Sequence, residues 1–182
     1  MRKMLVLALS AAFAVAALPL AAHAADSSMP SVGQKAPTFT LPSQNGTPIS
    51  LKQYHGKWVV LYFYPRDMTQ GCTIEAHNFQ NALSDFNAKN AVILGVSVDS
   101  QSSHQQFCAK DGLTFHLLSD TGHKVVSAYG SLADFNGVAI ANRNTFLINP
   151  KGKIVHVWTK VNPKTAASDV LSEIPSKTGS GM

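Results

Sequence analysis

Lys57 to Tyr64 (KWVVLYFY) is an unbroken apolar run of strand formers, the pattern of a strand buried on both faces. From Cys72 to Lys89 the period changes. Ala76, Phe79, Leu83 and Phe86 recur at steps of three and four, which marks one apolar face of a helix. Ala91 to Val98 (AVILGVSV) is a second buried strand. Strand, helix and strand within about 40 residues form a βαβ unit, which requires a parallel pair.

Ser102 to Lys110 reads as a short helix that Gly112 ends, and Phe115 to Leu118 as a short strand. Thr145–Ile148 and Ile154–Trp158 flank Asn149-Pro-Lys-Gly-Lys153, a strong turn signal, and so predict an antiparallel hairpin. Ala166 to Ile174 is a closing helix. Leu132 to Asn142 reads as a loop, the stretch with the weakest pattern. A βαβ half followed by a ββα half is the arrangement of a thioredoxin-like α/β fold: a central mixed sheet flanked by helices, here with an N-terminal extension. No repeat or linker divides the chain, so residues 25–182 are expected to form one domain with its core at about 30–175. The polar lead-in Ser27–Lys35 and the Gly/Ser tail Lys177–Met182 are expected to be loose.

The N-terminus reads as an address. Met1-Arg2-Lys3 is basic, Met4 to Leu20 is apolar, and Ala22-His23-Ala24 is a small-x-small cleavage site, the order of a secretory signal peptide over residues 1–24. A membrane anchor fits less well, because the run is Ala-rich, short and broken by Pro19. Export predicts a periplasmic protein, or a secreted one where the host has a single membrane, with no membrane contact after cleavage. Composition adds exclusions. Of 182 residues 45% are hydrophobic and 14% charged, far from the composition of disorder. The formal charge of +5 falls to +3 without residues 1–24, and Lys and Arg never run beyond two, which argues against nucleic acid as a partner. Two cysteines exclude a disulfide scaffold and an all-cysteine zinc site.

Chemistry concentrates around Cys72. The loop Pro65-Arg-Asp-Met-Thr69-Gln-Gly-Cys72 joins the end of the first buried strand to the helix, the edge where open α/β sheets bind ligands. Cys72 is expected in the first helical turn, where free N–H groups and the helix dipole favour a thiolate. Pro65 stops the strand, and Thr69 can cap the helix or turn its hydroxyl toward the sulfur. Thiolate formation alone achieves little. For a thiol, lowering the pKa from about 8.5 to about 6 raises the thiolate fraction at pH 7 roughly 30-fold. The accompanying loss of nucleophilicity is roughly 13-fold at a Brønsted slope near 0.45, leaving about a twofold gain. Rapid chemistry therefore needs fixed donors that also polarise the other reactant. Arg143, just before the strand at Thr145, is the candidate donor, on the expectation that parallel neighbours bring strand ends together. Glu75, one turn beyond Cys72, is the candidate anchor for its guanidinium.

GKWVVLYFYPRDMTQGCTIEA resembles the active-site segment of Q-type, bacterioferritin comigratory protein-like peroxiredoxins. GVSVDSQSSHQQF, LTFHLLSD, VVSAYG and RNTFLINPKGKIVHVW match further segments in the same order, over roughly residues 30 to 175. The signature Pro-x3-Thr-x2-Cys is present as Pro65, Thr69 and Cys72, with Arg143 in the place of the family arginine. The resemblance implies a thiol peroxidase acting on hydroperoxides, without cofactor or metal. In it Cys72 becomes a sulfenic acid, Thr69 and Arg143 hold the peroxide, and Pro65 shields the sulfenic acid. The chain departs from the common pattern at His77, where many members carry a resolving cysteine, and at Gln70, where a second proline is usual. Cys108 is the other thiol, 36 residues after Cys72, and the resemblance to a second group of members implies that it resolves Cys72 as an intramolecular disulfide. The implied reductant is a thioredoxin-like protein or a small thiol, and the implied working unit a monomer.

Cys108 has other readings: a permanent structural bond, an inert core residue in a one-cysteine enzyme, or a metal ligand with His104 at i and i+4. His104 by itself reads as a solvated or capping residue. Rival functions on this fold fail on spacing. A disulfide oxidoreductase wants Cys-x-x-Cys, where Glu75 stands, and a proline before Thr145, where Asn144 stands. A copper carrier wants Cys-x3-Cys, where Ala76 stands.

Overall fold

The structure is a computed structural model that describes residues 29–176; the segment 1–24, read as a signal peptide, and the tail 177–182 lie outside the described residues. In chain order it contains β1 (Thr40–Pro42), β2 (Pro48–Ser50), a 3-10 turn (Leu51–Tyr54), β3 (Trp58–Phe63), α1 (Gln70–Asn81), α2 (Leu83–Ala88) and β4 (Ala91–Ser97). There follow α3 (Gln101–Asp111), β5 (His116–Ser119), α4 (Lys124–Ala128), β6 (Leu132–Phe135), β7 (Val138–Ala141), β8 (Asn144–Ile148), β9 (Ile154–Trp158) and α5 (Ala166–Glu173).

The central sheet has the order β5-β4-β3-β8-β9. β3 is parallel to β4 and antiparallel to β8, so the sheet is mixed and the thioredoxin-like expectation holds. The apolar run of β3 is explained by its position in the middle. Val60, Tyr62 and Tyr64 enter one core with Cys72, Phe79, Phe86, Phe107, Cys108 and Val170. Val59, Leu61 and Phe63 enter the other with Leu94, Val96, Val126, Tyr129 and Phe146. A strand covered on both faces has no polar side to show.

Several local expectations are corrected. The helix read over Cys72–Lys89 begins at Gln70 and is interrupted at Ala82, whose φ and ψ are −90° and 5°, giving α1 and α2. The stretch Leu132–Asn142, read as a loop, is a β6–β7 hairpin whose two-residue turn, Asn136-Gly137, has φ of 54° and 81°. Both turn residues occupy the left-handed region that Asn-Gly tolerates, so a hairpin signal was present. The lead-in up to Lys35 is docked where described, not loose. Gly33 N–H donates to Ile154 O at 2.8 Å, Ile154 N–H to Gln34 O at 2.9 Å, and Ala36 N–H to Gly152 O at 3.0 Å. These bonds extend the edge beside β9. Met29 then lies on Gly130, where φ is +58° and an added Cβ would stand 2.6 Å from the Met29 Cα. Among the described residues no helix is long and apolar enough to cross a membrane.

Gly130→Ala is expected to cost about 1–3 kcal/mol, since both the left-handed backbone and the clash oppose a side chain. Urea unfolding, with limited proteolysis of the 29–36 segment, checks this. An unchanged midpoint and unchanged cleavage would contradict it.

Candidate active site

The loop after β3 starts with Tyr64, whose N–H still reaches Val96 O at 3.1 Å and so holds the chain in line with the sheet. Pro65 then blocks further pairing, because it has no N–H. Further along, Asp67 N–H donates to Asp99 Oδ2 at 2.9 Å, an oxygen that also accepts from Ser97 Oγ at 2.7 Å. Met68 turns the chain at φ 56° into Thr69, the extended residue that precedes α1. Cys72 is thus the third residue of α1, in its first turn as expected, and only 2% exposed.

Arg143 reaches this sulfur. Its Nη2 donates to Cys72 Sγ at 3.2 Å, and its Nη1 donates to Glu75 Oε2. The expectation that parallel strand ends bring Arg143 close is corrected. β8 is antiparallel to β3, with Asn144 opposite Phe63, so the start of β8 meets the end of β3. Gly71 leaves room for the guanidinium, since a Cβ there would stand 3.3 Å from Nη2. The Arg143 carbonyl accepts from Val161 N–H at 3.0 Å, which ties the backbone down as well.

Glu75 has no solvent exposure, and its Oε1 has no hydrogen-bond partner. Burial pushes its carboxyl up to about 7, with the guanidinium pulling the other way. For Arg143, burial opposes the charge, but Glu75 and Cys72 outweigh it and the pKa rises. The upward direction for Glu75 follows from one oxygen being compensated and the other not. Chemically, the pair is a guanidinium clamped at one prong with its second prong on sulfur, able to hold charge there or on an oxygen bound beside it.

Cys108 lies in the last turn of α3, buried and unbonded, in the same core cluster as Cys72. Its thiol is pushed up to about 11, by burial first and by the nearby Asp67 second. Tyr62 lies within the influence of both sulfurs. Its hydroxyl is buried without a partner, and burial raises its pKa, reinforced by Glu75, Cys72 and Cys108.

The AhpC/TSA family model matches residues 32–157. The chain belongs to the AhpC/TSA family, as a Q-type peroxiredoxin. It is 43% identical over 147 residues to a putative peroxiredoxin Bcp of Coxiella burnetii, covering 79% of this chain and 97% of that protein. A solved cysteine-to-serine mutant of Xylella fastidiosa PrxQ superposes with a TM-score of 0.76 at 36% identity, covering 80% of this chain and 96% of the other. Xanthomonas campestris peroxiredoxin Q, solved as two different cysteine-to-serine mutants, gives a TM-score of 0.70 at 39% identity over 74% of this chain and 87–88% of those. The activity class is thiol-dependent peroxidase.

Within this peroxiredoxin the predicted site residues divide. Cys72, Arg143 and Glu75 are in direct contact. Thr69 is at the head of α1, but its hydroxyl neither caps the helix nor turns to the sulfur; it donates to Arg66 O at 3.0 Å. Pro65 is half-buried and lines a depression with Arg66, Val98 and the β6–β7 turn. His104 corrects the sequence reading: it is fully buried, and Ser100 caps α3 by accepting from Ser103 N–H at 3.2 Å. Its Nδ1 lies 2.8 Å from Asp67 Oδ2. Asp67 and Gly71 carry no periodic signal, and Tyr64 shows in the sequence only as the end of an apolar run, so the parts they play around the site are not legible there. The one available clue was the four-residue spacing of His104 and Cys108, which puts both on one helix face.

Arg143→Lys is expected to slow Cys72 oxidation by hydrogen peroxide about 10²-fold, because an ammonium cannot serve two fixed partners as the planar fork does. Stopped-flow kinetics checks this, and a rate within threefold would contradict it. For Glu75 the folded pKa is raised, so the folded state holds the extra proton between pH 4.5 and about 7. Stability contributed by the protonated form is therefore lost as pH rises through that window. Relative to Glu75→Gln, the wild-type urea midpoint is expected to fall from pH 4.5 to 7 and then level off; a constant difference would contradict this.

Proposed function

We propose that this peroxiredoxin reduces hydrogen peroxide and organic hydroperoxides through Cys72 as peroxidatic and Cys108 as resolving cysteine. The Cys72 thiolate attacks the terminal oxygen of the hydroperoxide. The S–O bond forms, the O–O bond breaks, and the departing oxygen leaves as water or alcohol after taking a proton. Cys72 is then a sulfenic acid. The Cys108 sulfur attacks it, the S–S bond forms and water leaves. An external dithiol, or two monothiols, returns both cysteines to thiols by exchange.

The observation that carries this proposal is the Arg143 Nη2 contact with Cys72 Sγ at 3.2 Å, with Glu75 fixing the other prong. The same donor set suits negative charge moving from sulfur to the leaving oxygen. Thr69 is assigned to the peroxide as a second donor, which requires its hydroxyl to leave the Arg66 carbonyl. Pro65 is assigned to screening the sulfenic acid. Spacing supports Cys108: the cysteines replaced in the two Xanthomonas campestris structures are 36 positions apart, the separation of Cys72 and Cys108. Alkyl peroxide reduction, which another Xanthomonas campestris structure names for its bacterioferritin comigratory protein, supports the organic substrates.

A one-cysteine cycle is the second reading, favoured by the burial of Cys108 and its thiol at about 11. In it an outside thiol resolves Cys72. Bonding Cys72 to Cys108 requires Cα atoms within about 7 Å, and the two-cysteine cycle is assigned local unwinding of at least one of the two helices as the motion that brings the buried sulfurs together. The leader at residues 1–24 supports export, a periplasmic site of action and a thioredoxin-like or small-thiol reductant there, with the enzyme acting as a monomer.

Cys72→Ser is expected to abolish turnover with hydrogen peroxide and dithiothreitol; appreciable residual activity would reject the nucleophile. After one equivalent of peroxide, intact mass spectrometry is expected to find the wild type two hydrogens lighter and Cys108→Ser one oxygen heavier. A wild type carrying one added oxygen and no disulfide would select the one-cysteine cycle.

A further inference from the structure

Three polar side chains outside the Cys72 contact lie buried together between the active-site loop and α3. Tyr64 Oη donates to Asp67 Oδ1 at 2.7 Å, and His104 Nδ1 lies 2.8 Å from Asp67 Oδ2. Tyr64 Oη and His104 Nδ1 are themselves 3.3 Å apart. The exposures are 1% for Tyr64, 5% for Asp67 and 0% for His104. Asp67 uses both carboxylate oxygens, which leaves Nδ1 as the donating nitrogen of His104; Nε2, also buried, has no partner. The ring is therefore held from the Asp67 side.

The position of this cluster gives it significance. Asp67 belongs to the loop that delivers Thr69 and Cys72, and Tyr64 to the end of the central strand. His104 is one turn before Cys108 on α3. The two contacts of His104 tie the helix bearing the second thiol to the strand end and the loop leading to the first, and the Tyr64–Asp67 bond braces the pair that holds it. With no exposed member, α3 cannot leave the loop without breaking a fully desolvated, charge-assisted contact.

We propose that Tyr64, Asp67 and His104 form a latch that holds α3 against the active-site loop and sets how fast Cys108 reaches the Cys72 sulfenic acid. They act as positioning residues, resting on the assignment of Cys108 as resolving. The latch has a second effect on the same sulfur. While α3 is docked, burial and Asp67 keep the Cys108 thiol protonated. Once α3 opens, that thiol moves into water and away from the carboxylate, and becomes able to attack. Docking therefore keeps Cys108 buried in α3 and unreactive until the helix moves.

The test compares Tyr64→Phe and His104→Gln with wild type. Tyr64→Phe keeps the ring in place and serves if His104→Gln fails to fold. Three quantities are read: the rate of Cys72 oxidation by hydrogen peroxide, the rate of sulfenic acid conversion to disulfide by acid quench and intact mass, and amide hydrogen exchange over residues 101–111. Exchange is expected to quicken about tenfold. Disulfide formation is expected to quicken about fivefold, with less sulfinic acid at high peroxide and a first oxidation rate within about twofold of wild type. A merely structural role would slow both chemical steps together. Disulfide formation and exchange at wild-type rates in the folded variants would overturn the latch. Absence of a Cys72–Cys108 disulfide from the wild type would instead remove the resolving assignment, and is seen before any variant is compared.

Discussion

One guanidinium links everything the site does. Arg143 gives one prong to a carboxylate with no solvent exposure and the other to the Cys72 sulfur. Neither contact would persist alone. An arginine facing a sulfur without Glu75 would be free to rotate away, and Glu75 without Arg143 would be an uncompensated buried charge costing about 3–5 kcal/mol. The carboxylate fixes the cation, and the cation gives the carboxylate a reason to be ionised at all. Burial still sets a limit, because Oε1 of Glu75 has no partner and the group titrates near neutrality.

The fold supplies this meeting of residues through strand direction. β3 and β4 are parallel, so their ends deliver the catalytic loop and the Asp99 turn to the same edge. β8 runs the other way, so its first residues arrive there too. Arg143 needs no long loop to reach the sulfur. Gly71 in the first turn of α1 clears the space that the guanidinium occupies. On the α3 side the design is different in kind. There a set of hydrogen bonds among Tyr64, Asp67 and His104 joins α3 to the end of β3 and the loop after it, and none of these bonds goes to Cys72.

What the sequence made legible follows from what repeats. The apolar runs of β3 and β4 show because both faces are covered, and the inward helix face shows in Ala76 and Phe79 of α1 and Phe86 of α2. Cys72, Arg143 and Glu75 could be read together because a thiolate needs a cation and a buried cation needs an anchor. That chain of needs does not depend on strand direction, so Arg143 meets Cys72 although β8 is antiparallel to β3 and not the parallel neighbour expected. The misses are places where partners are distant in sequence. Nothing local marks Asp67 as the acceptor for His104, 37 residues away. Likewise, the lead-in looks polar and free until its backbone is paired with Ile154 and Gly152. The Asn136-Gly137 turn was visible, but the strands beside it are half-exposed and carry weak alternation.

The central claim is that Glu75 acts on the sulfur only through Arg143. A double-mutant cycle on the second-order rate of Cys72 oxidation tests it, using Glu75→Gln, Arg143→Lys and the pair. The account predicts that the double variant is no slower than Arg143→Lys alone, because the guanidinium that Glu75 orients is already gone. Losses that multiply would mean that Glu75 and Arg143 act independently, and would contradict the account.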